Sequence, residues 1–541
     1  MELGQTGRQR AAAAWGPALV LALVLAGLGL APSARGGAIP EAGALVGEAA
    51  GGPEGGPAAG AALIRAEDAA ADVAALAHPG LEGRDTPSLG LDRAAGYISG
   101  RLAAVGYRGL GPDGSMLWPF ERRVPVPEPA ACALVRADEA GEARQAYGLG
   151  RDFVPLWGSG GRASGATVFV GFGIRHETER FDELSGRELR ERVAVLVEGE
   201  PEHPERFAGP EVSAAANLYA KLDALDHAGV VGVLVVRRQP HQPLAFRHGW
   251  ADWHRHRADK VRTLDLPVLE VTPAVARDLF DADVLEWARE IEESGRAHTA
   301  SGPGAWVELS AGTRVAPVAV HNVVAWLPGR DPERSAEFVV LGAHHDHLGV
   351  DPRGRVGLGA DDNASGVAAL LEVAEALAAA RPARSVLVCA FAGEEDGLLG
   401  SRALLRDPPV PLQDMVAMLN LDMLGRGARD EVAVIGLLHN PELEAVLERA
   451  RALAPTGVER MVLRQGQELF ERSDHFPFHQ AGVPALFFFE GLPITRNADY
   501  HTWRDTPEKV DAEKVAATAR LAFHSAWILA EDPGRPPRPE R

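Results

Sequence analysis

The stretch 385-SVLVCAFAGEEDGLLGS-401 decides how the chain is read. Its first seven residues, Ser385 to Phe391, form an uncharged apolar run of the length of a buried strand. Two carboxylates, Glu394 and Glu395, then follow side by side. Burying one carboxylate costs several kcal/mol, and two in contact repel each other. A pair of them at the end of a core strand therefore calls for a compensating positive centre.

Working outward, the same pattern recurs. Apolar runs at 322-NVVAWLPG-329, 337-EFVVLGAHHDHLG-349, 415-MVAMLNLDM-423 and 484-PALFFFE-490 read as strands. Helical periodicity appears at 363-NASGVAALLEVAEALAAA-380 and near 441-PELEAVLERARALA-454. Strands alternating with helices imply an α/β layer fold with a mixed, largely parallel sheet flanked by helices. In such sheets functional residues gather where the strands end. Here those ends carry His344, Asp346 and His347, then Asp361 and Asp362 before a helix, Glu394 and Glu395, Asp422, and His501 in 499-DYHTWRDT-506. Singly, each is commonplace: a His-x-Asp in a solvated loop, or an Asp-Asp capping a helix. Together, at least five anionic groups meet on one sheet edge with only imidazoles to balance them. Divalent metal ions supply the missing charge. Imidazole with carboxylate and no thiolate suits Zn²⁺ or a similar ion in an open site. Two such ions can share one bridging carboxylate.

Six motifs, 342-GAHHDHLG-349, 359-GADDNASG-366, 393-GEEDGLLGS-401, 420-NLDMLGR-426, 473-SDHFPF-478 and 500-YHT-502, stand in the order found in the M28 family of zinc metallopeptidases. The chain resembles that family over most of 63–100 and 320–510. The resemblance implies a zinc-exopeptidase fold and two Zn²⁺ per chain. It implies His344, Asp361, Glu395, Asp422 and His501 as ligands, with Asp361 bridging. Glu394 would be the general base, Asp346 the partner that orients His344, and Asp505 the corresponding partner of His501. Tyr500 resembles the phenol that steadies the tetrahedral oxyanion in some members. The family often has a cis bond after its bridging aspartate, which places one at 361-DD-362. His345 stands where an aromatic is common, away from the metals.

Between the two peptidase segments, 166-ATVFVGFGI-174, 192-RVAVLVEGE-200, 230-VVGVLVV-236 and 266-LPVLEV-271 read as short buried strands, with a helix at 213-SAAANLYAKLDALDHAG-229. The run from 192 to 236 looks like a protease-associated domain inserted into the peptidase. His254 and His256 within it form an HxH pair without a third ligand, a weak metal signature. The expected organisation is a signal peptide at 1–35, a flexible linker at 36–62, peptidase at 63–124, the β-rich insertion at 125–300, peptidase again at 301–530 and a disordered tail at 531–541. The signal reading rests on Arg8 and Arg10 before the uncharged 15-WGPALVLALVLAGLGLA-31 and the small residues after it. Uncleaved, that segment would anchor the protein in a membrane.

A net charge of −20 argues against a nucleic-acid partner, which needs a basic face. The two cysteines, Cys132 and Cys389, lack zinc-knuckle spacing. A disulfide between them is left open. The expected activity is an exported di-zinc exopeptidase acting on peptides or proteins, foremost an aminopeptidase. Three alternatives stand beside it. One is a carboxypeptidase or dipeptidase using Arg426, Arg472 or Arg496 for the substrate carboxylate. The others are a glutaminyl-cyclase-like transferase with one zinc, and a receptor-like scaffold, which would have lost ligands that this chain retains.

Overall fold

Four parallel strands form the middle of a nine-stranded mixed sheet in the computed structural model: Ser385–Phe391, Phe338–His344, Met415–Leu421 and Ala485–Phe489, in that spatial order. The structure describes residues 56–138, 140–207, 209, 212–238, 264–297, 304–351, 353–453 and 456–539, all within one unit, Ile39–Arg541. The signal-peptide reading and the pair His254 and His256 lie outside the described residues.

Parallel neighbours need covered crossovers, and helix Gly366–Ala380 is the one between the first two strands in the chain. It is Ala- and Leu-rich and almost wholly buried, which favours both helix and core. Side chains alternate across the sheet. Val386, Val388 and Ala390 join the core under helices Gly366–Ala380 and Ala512–Glu531, while Leu387, Cys389 and Phe391 join a second core on the opposite face. Cys389 is thus a buried apolar residue, and both cysteines are free thiols.

The strands that flank these four, Thr313–Leu327 on one side and Glu431–Ile435 on the other, are antiparallel to them. Thr313–Leu327 pairs with Ser385–Phe391 and, along eleven register positions, with Leu117–Pro127. The prolines of Leu117–Pro127 do not prevent its forming a strand, because it borders only one neighbour. A second, eight-stranded sheet is built from residues 133–311. Its strands Gly161–Phe169, Val193–Val197, Gly232–Val236 and Val268–Val271 run parallel between two apolar cores. The boundaries expected at 125 and 300 therefore shift. Residues up to Pro127 belong to the first sheet, and Trp306–Ala311 belongs to the second, antiparallel to Ala133–Ala137.

Two segments expected to be loose are ordered. Pro57–Ala61, placed in the linker, is a short helix whose Gly60 packs so closely on Ala376 O and Phe523 that a Cβ would clash. The tail is docked over its described residues, up to 539. Arg535 pairs with Glu337 at 2.5 Å, and Arg538 donates to Gly482 O at 2.7 Å and Leu412 O at 2.7 Å.

Candidate metal centre and active site

The four parallel strands end at one edge, and each hands a chemical group to it: His344, the Glu394–Glu395 pair, Asp422 and Glu490. Glycine at 393 has a positive φ of 72°, so the turn after Phe391 is tight and both glutamates follow immediately. The π-like turn Ala360–Ser365 supplies Asp362, and the loop after residue 496 supplies Tyr500 and His501.

Asp362 lies at the centre. Its Oδ1 is 3.3 Å from His344 Nε2, which is 3.3 Å from Asp422 Oδ1. Its Oδ2 is 3.1 Å from His501 Nε2, which is 3.2 Å from Glu395 Oε2. Donors held about 2.0–2.1 Å from a tetrahedral ion stand roughly 3.3 Å apart. In each set the two contacts of the histidine have that spacing, and the sets share Asp362 through different oxygens. By donor proximity alone, within 4.8 Å, the groups divide as His344–Glu394–Asp422 and His347–Asp362–Glu395. The division through Asp362 accounts for more of the short contacts, because it links both histidines and leaves Glu394 outside the ligand set. The residues therefore fit a pair of zinc ions.

This corrects the expected bridge. Asp361 is buried but turned to other partners: Gly425 N donates to its Oδ1 at 2.7 Å and Asn497 Nδ2 to its Oδ2 at 3.1 Å. Burial and the adjoining Glu490 carboxyl raise its pKa far above the usual carboxylate range, toward the neutral form. The cis bond likewise lies at Asp362–Asn363, one residue beyond the expected place. Asn363 fixes that turn, its Oδ1 accepting from Gly366 N and Met423 N, both at 3.0 Å.

Asp346 stands 3.6 Å from His344 Nδ1, and its oxygens accept from Glu394 N at 3.2 Å and Glu395 N at 3.3 Å. It thus sets the imidazole and the glutamate turn together. Asp505 does not face His501 as expected. Its carboxylate accepts from Asp361 N and Asp362 N at 3.0 Å. Ser473 Oγ donates to Asp422 Oδ2 at 2.7 Å. His347, given no separate role from the sequence, has Nδ1 3.0 Å from Glu395 Oε1 and orients that carboxylate. Its signal was its place two residues beyond His345 in the strand-end cluster. His345 is buried away from these contacts, and burial lowers its pKa to about 4.

The adjacent glutamates are driven apart in charge. Burial holds Glu394 well above the carboxylate range, reinforced by Glu395 and Asp422 and opposed by His344. Burial also opposes ionisation of Glu395, but His501 and the hydrogen bonds from His347 and His501 bring it down to about 2. The surroundings thus favour the proton on Glu394 and the charge on Glu395. Tyr500 stacks on His501 with ring centroids 3.8 Å apart, and Arg472 Nη2 donates to its hydroxyl at 3.1 Å. Burial, with Asp362 and Glu395 nearby, keeps that phenol protonated. These groups line a cavity of about 260 Å³ whose other wall is apolar: Leu398, Met423, Leu469, Phe487, Phe489 and Ile494.

Residues 322–526 match the family model described as peptidase family M28. A protein of Trichophyton verrucosum named "Probable leucine aminopeptidase" is 31% identical over 278 residues, spanning 48% of this chain and 71% of that protein. Aminopeptidase YwaD of Bacillus subtilis is 28% identical over 204 residues, 37% of this chain and 43% of that one. Among solved structures, a zinc aminopeptidase from Bacillus subtilis aligns over 88% of this chain and 98% of its own, at 17% identity and a TM-score of 0.46.

Proposed function

The chain belongs to peptidase family M28, and from that membership we propose that it is an exported zinc aminopeptidase holding two metal ions. The observation that carries the reading is the pair of donor sets joined through the two oxygens of Asp362. In it, His344, Asp362 and Asp422 would hold one zinc, and His501, Asp362 and Glu395 would hold the other. Bound there, the ions would polarise the scissile carbonyl and make water more acidic.

The chain's own residues do the rest. Glu394 accepts a proton from the attacking water as its oxygen bonds to the carbonyl carbon. It then delivers that proton to the amine nitrogen as the C–N bond breaks. The first step uses Glu394 as the carboxylate, and the raised proton affinity that burial gives it suits it both to take the proton and to hold it until the second step. Tyr500 accepts a hydrogen bond from Arg472, which leaves its own O–H free for the developing oxyanion. The apolar wall receives a side chain of the leucine type, in keeping with the names of the relatives. The unit of residues 133–311 is read as a protease-associated-like insertion that shapes access. The chain leaves the peptidase sheet at Pro127 and re-enters it at Thr313 on paired strands, which supports that reading. Export rests on the basic and then apolar N-terminal segment.

Arg472, at the cavity wall, favours the competing carboxypeptidase reading, whereas Arg426 is engaged by Asp499 at 3.0 Å. Peptides blocked at either end separate the two. Acetylating the amine is expected to abolish cleavage, and amidating the carboxyl to spare it. The reverse pattern would assign a carboxypeptidase.

A further inference from the structure

Arg84 stands behind the site and touches none of its side-chain donors. The side chain is 1% exposed. Its Nε donates to His345 O, one Nη to Gly359 O and the other to Leu358 O, each at 2.8 Å, with Leu76 O as a further acceptor. Among the described residues, no carboxylate forms an ion pair with it. Burial lowers its pKa to about 10, so it remains a cation at neutral pH, and the charges that sustain it are Asp346, Asp505, Asp362 and Glu395.

Its acceptors are not scattered. His345 lies between His344 and Asp346, and Gly359 is three residues before Asp362. Between them the chain makes the excursion 348–358, closed by a bridge between Val350 and Val356. One guanidinium therefore joins the two ends of that excursion, and each end carries a member of the donor sets. The backbone beside it acts likewise: His347 N donates to Arg84 O at 3.2 Å and Gly349 N to Gly83 O at 3.1 Å. Gly83 has a φ of 71°, and a Cβ there would strike Gly349 O and Gly357 O, so the approach is as close as backbone allows.

We propose that Arg84 is a positioning residue for the metal centre: by binding His345 O, Leu358 O and Gly359 O at once, it holds the segment of His344 in register with the segment of Asp362. The inference rests on the metal reading above. A site assembled before the ion arrives loses less freedom on binding it. The coupling is reciprocal, so an ion that requires the closed strut makes the strut harder to open. Lysine keeps the charge, but its compact head lacks the planar fork that spans several carbonyls.

The test compares the parent with Arg84→Lys. Zinc affinity is measured by competition with a chromogenic chelator, kcat and KM at saturating zinc, and melting of both metal-free proteins. The variant is expected to bind zinc about 10–100-fold more weakly, to lose kcat more than KM changes, and to melt near the parent when metal-free. Parental zinc affinity and kcat would overturn the proposal, as would a loss confined to metal-free stability. A measurement on the parent alone covers a variant that fails to fold. Hydrogen exchange at the His347 and Gly349 amides is expected to slow when zinc is added, and equal exchange with and without zinc would overturn the proposal. A parent that binds no zinc at all would instead sink the functional reading.

Discussion

Glu394 and Glu395 share a peptide bond and are assigned opposite duties by their surroundings. Glu395 faces two imidazoles and is held ionised, while Glu394 faces His344 among other carboxylates and is held toward the neutral acid. Glu395→Gln is therefore expected to weaken metal binding, because a neutral amide is a poor ligand for such an ion. Glu394→Gln is expected to keep its metal and lose about 10²–10⁴-fold in kcat, with KM changed less. Metal analysis with steady-state kinetics checks both; full activity in Glu394→Gln would remove it from the mechanism. The sequence singles these two residues out because a charged pair after a strand has few bland explanations. It does not single out Asp362, since 361-DD-362 offers two chemically identical candidates. Only the partners of each, Gly425 N and Asn497 for one and three imidazoles for the other, tell them apart.

Helix Gly366–Ala380 illustrates the scale of the element. Its Ala- and Leu-rich run and the strand Ser385–Phe391 after it are readable by period alone, and the strand has the expected bounds. Leu117–Pro127 was hidden by its prolines, which an edge position tolerates, and the turn–strand pattern around Glu431–Ile435 was too short to stand out. The helix also carries a buried acid. Glu372 accepts from Arg65 N at 2.7 Å, and burial raises its pKa to about 8, with Asp72 and Asp68 adding to the rise and Arg101 opposing it. A carboxyl raised in the folded state supports folding fully below its unfolded pKa, about 4.3, and that support is lost as pH climbs through about 8. Glu372→Gln keeps an acceptor for Arg65 N and removes the titration. It is expected to stabilise the protein by on the order of 2 kcal/mol at pH 9 and to make little difference at pH 5. Denaturant titrations at the two pH values check this, and an equal effect at both would contradict it.

At the scale of the whole molecule, a buried ion pair ties a loop after a strand of the first sheet to a loop after a strand of the second. Arg353, at the tip of the excursion 348–358, reaches Glu200 Oε1 at 2.7 Å and also donates to Phe207 O and Gly209 O at 3.0 Å. Arg353→Met would leave Glu200 buried without its cation and is expected to cost about 3–5 kcal/mol. Adding Glu200→Gln should recover part of that loss in a double-mutant cycle. Additive losses would mean that the pair is not coupled. The alternation of strands and helices made the peptidase sheet readable in outline. The exact exchange between sheets at Pro127 and Thr313 was not, because strand pairing across nearly two hundred residues leaves no local trace. The central claim is that Asp362, and not Asp361, joins two ions in one site. Metal analysis of Asp362→Asn beside Asp361→Asn tests it most directly. About two zinc ions are expected in the parent and in Asp361→Asn, with loss of metal in Asp362→Asn. Full metal in Asp362→Asn, with loss in Asp361→Asn, would contradict it.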